Sequence, residues 1–173
     1  MAVTSGSKIQ YEYMLGGGSP PVIQIGEQTD STGWVAGAIL AIDSSGHVYT
    51  AATGAITSAT ACFGIALHDS CGSTADGSAL ASVVLITPMT VFSAVVYHAT
   101  TASAVVQSGQ IGDTFATADG GSSKCWVMSI ATTASVGMYC INNKDATGTA
   151  YGRNYFVFSG CYATDSPWGY GTS

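Results

Sequence analysis

Trp34-Val35-Ala36-Gly37-Ala38-Ile39-Leu40-Ala41-Ile42-Asp43-Ser44-Ser45-Gly46-His47-Val48-Tyr49-Thr50-Ala51 is the stretch that decides the fold class. Nine mostly apolar residues run into a short polar turn, and a second β-prone run, His47 to Ala51, returns. Asp at the opening of a four-residue turn and Gly at its close suit a type I turn, so the segment reads as a β-hairpin. The same grammar repeats outward from it. Ala61 to Leu67 is a short apolar run, and Asp69 to Ser78 is a polar, Gly-containing loop. Ala79 to Ile86, Thr90 to Tyr97, Ala102 to Val106, Cys125 to Ile130, Val136 to Asn142 and Tyr155 to Ser159 follow as further strands. Ser, Thr, Gly, Asp and Asn clusters separate them at spacings that suit a barrel or sandwich. No window carries a capped i, i+3, i+4, i+7 apolar stripe, and one short helix near Gly109 to Ala118 is the most that the pattern allows. The expectation is an all-β chain, a small β-barrel or sandwich-like body over residues 33–160.

The ends differ from this body. Residues 1–32 read as an extended N-terminal arm. Gly16-Gly17-Gly18-Ser19-Pro20-Pro21 is a flexible hinge running into a stiff extended pair, flanked by β-like Ile9 to Tyr13 and Val22 to Ile25. Alternation of Ile9, Tyr11 and Tyr13 gives an added strand one apolar face. Residues 161–173 form a tail in which Tyr162, Pro167, Trp168 and Tyr170 stand among glycines. Such a tail is a clasp over an apolar patch, a contact point for a partner, or a loose end. A chain of 173 residues suits one body with attached ends and no second domain.

Composition narrows the function. Only 8% of residues are charged, against about a quarter in ordinary globular chains, while 47% are hydrophobic and 22 are Gly. Much of the surface is therefore Gly, Ser, Thr and Ala, which lose little hydration when a partner covers them. That favours a life inside an assembly. The formal charge is −6, and Lys8, Lys124, Lys144 and Arg153 are the whole cation complement. Phosphate neutralisation needs clustered Lys and Arg, so nucleic acid is excluded as a direct partner, and an anionic membrane surface is disfavoured likewise. Met1 to Gly18 has no apolar segment preceded by basic residues, so no secretory leader is expected. Leu80 to Tyr97 is the single candidate membrane span, but its Ser, Thr and Pro content and β-branched residues favour two strands meeting near Thr87-Pro88. A soluble protein is expected. Five cysteines at irregular spacing, Cys62, Cys71, Cys125, Cys140 and Cys161, make a poor disulfide framework and point to a reducing site of synthesis.

Chemistry is scarce. His47, His68 and His98 each sit at a strand end or turn, and no Gly-x-Ser-x-Gly elbow accompanies them. Cys62, His68 and Cys71 could be imagined around zinc, but their spacing fits none of the common structural patterns. Gly16-Gly17-Gly18 lacks the Gly-Lys-Ser/Thr ending of a phosphate loop. The carboxylates are few and scattered. No catalytic residue, cofactor site or metal site is assigned, and the chain is not read as an enzyme.

Thr90 to Tyr97 carries Phe92, Ala94 and Val96 on one face and Val91, Val95 and Tyr97 on the other. A small antiparallel sheet ordinarily has one wet face, so two apolar faces suggest cover from a neighbouring copy, and a homo-oligomer is expected.

Taken together, the opening hairpin resembles that of the head decoration (cement) proteins of tailed bacteriophages. Phe63-Gly64-Ile65-Ala66-Leu67 is similar to their recurrent Phe-Gly-Ile-Ala strand. The resemblance runs on through Val83-Val84-Leu85-Ile86-Thr87-Pro88, Thr90-Val91-Phe92-Ser93-Ala94 and the Tyr151-Gly152-Arg153 lead into the last strand. It covers most of Gly33 to Ser159, but neither the arm nor the tail. The resemblance implies a virion protein made in the bacterial cytoplasm, often trimeric, sitting on the outside of a phage head and tying major capsid protein subunits together. The arm from Lys8 to Ile25 is expected to carry much of the attachment by adding a strand to a neighbour's sheet edge. The candidate capsid or subunit contacts are Ile9, Tyr11, Tyr13, Val22, Ile25, Val91, Val95, Tyr97, Trp168 and Tyr170. Competing readings are a phage tail or fibre module, and an adhesive β-sandwich that stacks Trp34 or Trp168 on sugar rings.

Overall fold

The computed structural model describes residues 8–29, 33–51, 62–71, 75–119, 126–134 and 137–159. Their strands are β1 (Gln10–Met14), β2 (Val22–Gly26), β3 (Ile39–Ile42), β4 (Val48–Thr50), β5 (Gly64–Ala66), β6 (Leu80–Leu85), β7 (Thr90–Tyr97), β8 (Thr114–Asp119), β9 (Trp126–Thr133), β10 (Gly137–Asn143) and β11 (Arg153–Ser159). Helical structure among the described residues is limited to the 3-10 turns Thr101–Ser103 and Ser108–Gln110. The chain is all-β, as expected.

One sheet runs β1-β7-β11-β10-β8-β9, and β9 also pairs with β7 in parallel, Val96 opposite Met128 and Tyr97 opposite Ser129. The five strands β7, β11, β10, β8 and β9 therefore close into a barrel. One edge of β7 is shared: β1 takes Thr90 to Ser93 and β9 takes Val96 and Tyr97. The second sheet runs β2-β6-β5-β3-β4. Its two ends meet where Glu27 bridges Val48, with the Gln28 N–H donating to the Val48 carbonyl at 2.9 Å.

The founding hairpin forms as its residues dictate. Asp43 Oδ1 accepts the N–H groups of Ser45 and His47 at 2.8 and 2.9 Å, and the Asp43 N–H donates to His47 O at 2.9 Å. Asp and Gly thus supply the turn with local acceptors and a positive φ of 86° at Gly46. Its first strand is shorter than the apolar run: β3 begins at Ile39, because Gly37 takes φ +85° and Ala38 N–H turns back to Val35 O at 3.0 Å. Ala102 to Val106 makes a single bridge, Val105 to Ala150, instead of a strand. Around Gly109 the helix is one 3-10 turn, and the chain then enters β8, which the sequence pattern did not reveal.

The arm's two strands belong to the body's own sheets. β1 pairs with β7 and β2 with β6, both antiparallel. Between them Leu15 N–H donates to Met89 O at 2.8 Å and Leu85 N–H to Pro21 O at 2.9 Å. Residues 10–26 and 80–93 thus form one long ribbon that passes from one sheet to the other. Gly16, Gly17 and Gly18, at φ +90°, +84° and +99°, give the arm its bend at the crossing.

A single apolar core joins the sheets, with Ile39, Leu40, Val83, Val84 and Ile86 from one and Phe92, Phe115, Met128, Met138, Phe156 and Phe158 from the other. Phe92, Phe156 and Phe158 meet with centroids 5.2–5.9 Å apart. The second face of β7 is covered from within the chain: Val95 packs with Val127, and Tyr97, Ala118 and Tyr151 lie against that pair. Barrel closure therefore supplies the cover that the two-faced pattern of β7 had assigned to a neighbouring copy.

Candidate interaction surface

The residues singled out in the sequence fall into three groups. Ile9, Val91 and Val95 are 3%, 0% and 7% exposed, buried in the chain's own interior, and so present no surface to a partner. Tyr11, Ile25 and Tyr97 are half-buried, Tyr11 edge-on to Phe92 with centroids 6.4 Å apart. Tyr13 and Val22 are exposed, at 42% and 48%. Trp168 and Tyr170 lie outside the described residues.

Exposed large hydrophobics gather along the ribbon. Tyr13, Leu15 and Val22 stand on the arm, Leu80 on β6 opposite Gly26, and Met89 in the β6–β7 turn beside Leu15. Leu67, Ile111 and Tyr139 are the remaining ones among the described residues. The sequence reading named Tyr13 and Val22 and missed Leu15, Leu80 and Met89, the last two of which lie beside the arm only through strand pairing. The outer edge of β1 completes the surface, since β1 ends its sheet. Among the described residues no strand pairs with that side, and an edge of this kind can receive a further strand.

A polar staple holds the arm to the barrel. The Arg153 guanidinium donates from Nη2 to Lys8 O and Ser93 O, each at 2.7 Å, and from Nε to Ser93 Oγ at 2.9 Å. Ser93 Oγ in turn donates to Glu12 Oε1 at 2.5 Å, and Lys144 Nζ closes on the same carboxylate. Burial draws the Arg153 guanidinium below its ordinary value, against the opposing charges of Glu12 and Asp145. Lys144 also lies over the Tyr155 ring, 5.8 Å from its centroid, and Tyr155 meets Tyr13 edge-on at 5.9 Å.

The histidines serve local structure. His98 Nδ1 accepts the Thr100 N–H at 3.0 Å, and His47 Nδ1 stands 3.8 Å from Asp43 Oδ2. His68 bridges Asp69 O at 2.8 Å and the Ser82 N–H at 2.9 Å, continuing with its ring the ladder that β5 leaves off. The Cys62–His68–Cys71 trio considered for zinc does not assemble: Cys62 is fully buried in the core, and Glu27 takes its place beside His68 and Cys71. Trp34 is 4% exposed, which removes it as a stacking platform for a sugar.

No known protein family, curated protein or solved structure matches this chain. Its function is argued from its own surface.

Proposed function

We propose that this chain is a structural protein of a phage virion, a decoration or cement protein that binds the outside of the head, as a trimer, and braces the major capsid protein. The observation that carries the reading is the apolar strip along the arm and the β6–β7 ribbon, on a chain with 8% charged residues. On so uncharged a chain, covering Tyr13, Leu15, Val22, Leu80 and Met89 strips water from few ionic groups, the Glu12–Lys144 pair near Tyr13 among them. The open edge of β1 adds backbone hydrogen bonding to the same contact. Modest contacts of this kind, repeated by symmetry over a shell, hold through avidity rather than through one strong site.

In this reading the arm takes part in attachment as a ribbon already formed within the chain. Its strands are already laid on β6 and β7, so the partner meets the outer side of a formed ribbon. The test is the copy number in purified virions relative to the major shell protein, by quantitative mass spectrometry. A ratio near one copy per shell subunit supports a cement role. A handful of copies moves the chain to a tail or fibre, and absence overturns the virion reading.

A further inference from the structure

We infer that Glu27, His68 and Cys71 form a binding site for a zinc-class divalent cation. One carboxylate oxygen, one imidazole nitrogen and the Cys71 sulfur lie within 4.8 Å of one another. Oxygen, nitrogen and sulfur together suit Zn²⁺, whereas Ca²⁺ and Mg²⁺ take oxygen ligands alone.

Glu27 supplies the second, independent reason. It is 1% exposed, yet among the described residues the one donor reaching its carboxylate is the Cys71 N–H, shared between Oε1 and Oε2 at 3.1 Å each. No Lys or Arg among the described residues pairs with it. A carboxylate so deeply buried is ordinarily answered by a cation or by several N–H groups, because desolvating it alone is costly. A metal ion held with the Cys71 thiolate and the imidazole provides that answer.

Both ring nitrogens of His68 are engaged with backbone, so the imidazole exchanges one of these bonds when it ligates. With the Ser82 N–H on Nε2, the ring proton sits on Nδ1 and donates to Asp69 O. Nε2 then carries the lone pair a metal needs, and it ligates only through a turn of the ring that releases the Ser82 N–H. The Asp69 bond becomes the outer hydrogen bond that fixes a ligating imidazole. Three protein ligands leave a fourth position for water. Cation binding deprotonates the Cys71 thiol and releases that proton to solvent. Glu27 closes the arm and His68 and Cys71 lie in the loop after β5, so the ion clamps the arm's end to the body.

The experiment is a Co²⁺ titration of the metal-stripped full chain, followed by Zn²⁺ competition and thermal melts with and without Zn²⁺. Expected are a thiolate-to-cobalt charge-transfer band saturating at one equivalent, displacement by Zn²⁺, and a higher Tm with Zn²⁺. Cys71→Ser, an exposed change that leaves the core alone, is expected to abolish both the band and the Tm shift. Glu27→Gln, with its fold checked by circular dichroism, is expected to weaken binding roughly ten-fold or more. Absence of the band in the wild type, or a band and Tm shift that persist in Cys71→Ser, overturns the assignment.

Discussion

One methyl group is more than β5 can accept at Gly64. A Cβ there lies 2.2 Å from Val83 Cγ1 and 2.6 Å from the Val84 carbonyl oxygen, and the second neighbour is backbone in the adjacent strand. Gly64→Ala is therefore expected to lower stability by about 1–3 kcal/mol, read as a reduced midpoint in urea denaturation. The three described cysteines divide just as sharply. Cys62 and Cys140 are fully buried and Cys71 is exposed, so native-state alkylation is expected to label Cys71 quickly and the other two only on unfolding. Burial pushes the Cys140 thiol up to about 11 from 9.0, the nearby Asp113 charge reinforcing it and the Asn142 hydrogen bond opposing it. The folded chain then holds a proton that the unfolded chain releases between those values. Stability from this group is complete below 9.0 and falls as pH rises toward 11, and Cys140→Ala is expected to flatten that part of the urea midpoint–pH curve. At this scale the sequence was least informative. Nothing around Glu27 announces a buried acid, because its partner Cys71 lies 44 residues away and only sheet closure brings them together.

At the scale of elements, the arm is held by both apolar and polar contacts. Ile9, Tyr11, Ile23 and Ile25 reach the core, while Arg153 ties Lys8 O to Ser93. Arg153→Met keeps much of the side chain's bulk and removes its donors. It is expected to cost about 1.5–3 kcal/mol, with faster amide hydrogen exchange concentrated in β1. Elements whose signals are local were legible. The β3–β4 hairpin was read from Asp43 and Gly46 because the turn's hydrogen bonds are made by the turn's own residues. β6 and β7 were read from their β-branched runs. β8 escaped because Gly109 and Gly112 precede it and its Ala and Thr residues carry little periodic contrast. Its place is set by pairing with β9 and β10. Trp34 to Ala38 looked like strand because composition does not show that Gly37 turns the chain against Ile9.

For the whole molecule, closure is what the sequence could not express. Two apolar faces on β7 looked like a request for a neighbour, and a parallel β7–β9 pairing answers it internally. The all-β class was within reach, as were Tyr13 and Val22; Leu15 was passed over, and Leu80 and Met89 are distant in sequence from the arm they lie beside. This changes how attachment is best tested. Removing residues 1–29 takes core residues with it and exposes the edges of β6 and β7, so the truncated chain is expected to aggregate in sedimentation velocity. Leu15→Ser with Met89→Ser alters the strip alone. The pair is expected to leave stability within about 0.5 kcal/mol per substitution while weakening binding to purified phage heads, measured by co-sedimentation. An undiminished affinity would move attachment to another face.

The long ribbon also sets an order of events during synthesis. Glu12 and its partner Ser93 are 81 residues apart, so the arm leaves the ribosome well before the strand that receives it has been translated. Until then Tyr11, Ile23 and Ile25 have no surface to lie on, and the nascent chain carries its stickiest edge first. Pairings of such long sequence separation make for slow folding, on the order of milliseconds to seconds for β topologies of this kind. Low charge, which eases docking in the finished particle, gives the waiting arm little electrostatic repulsion against its siblings on the same messenger.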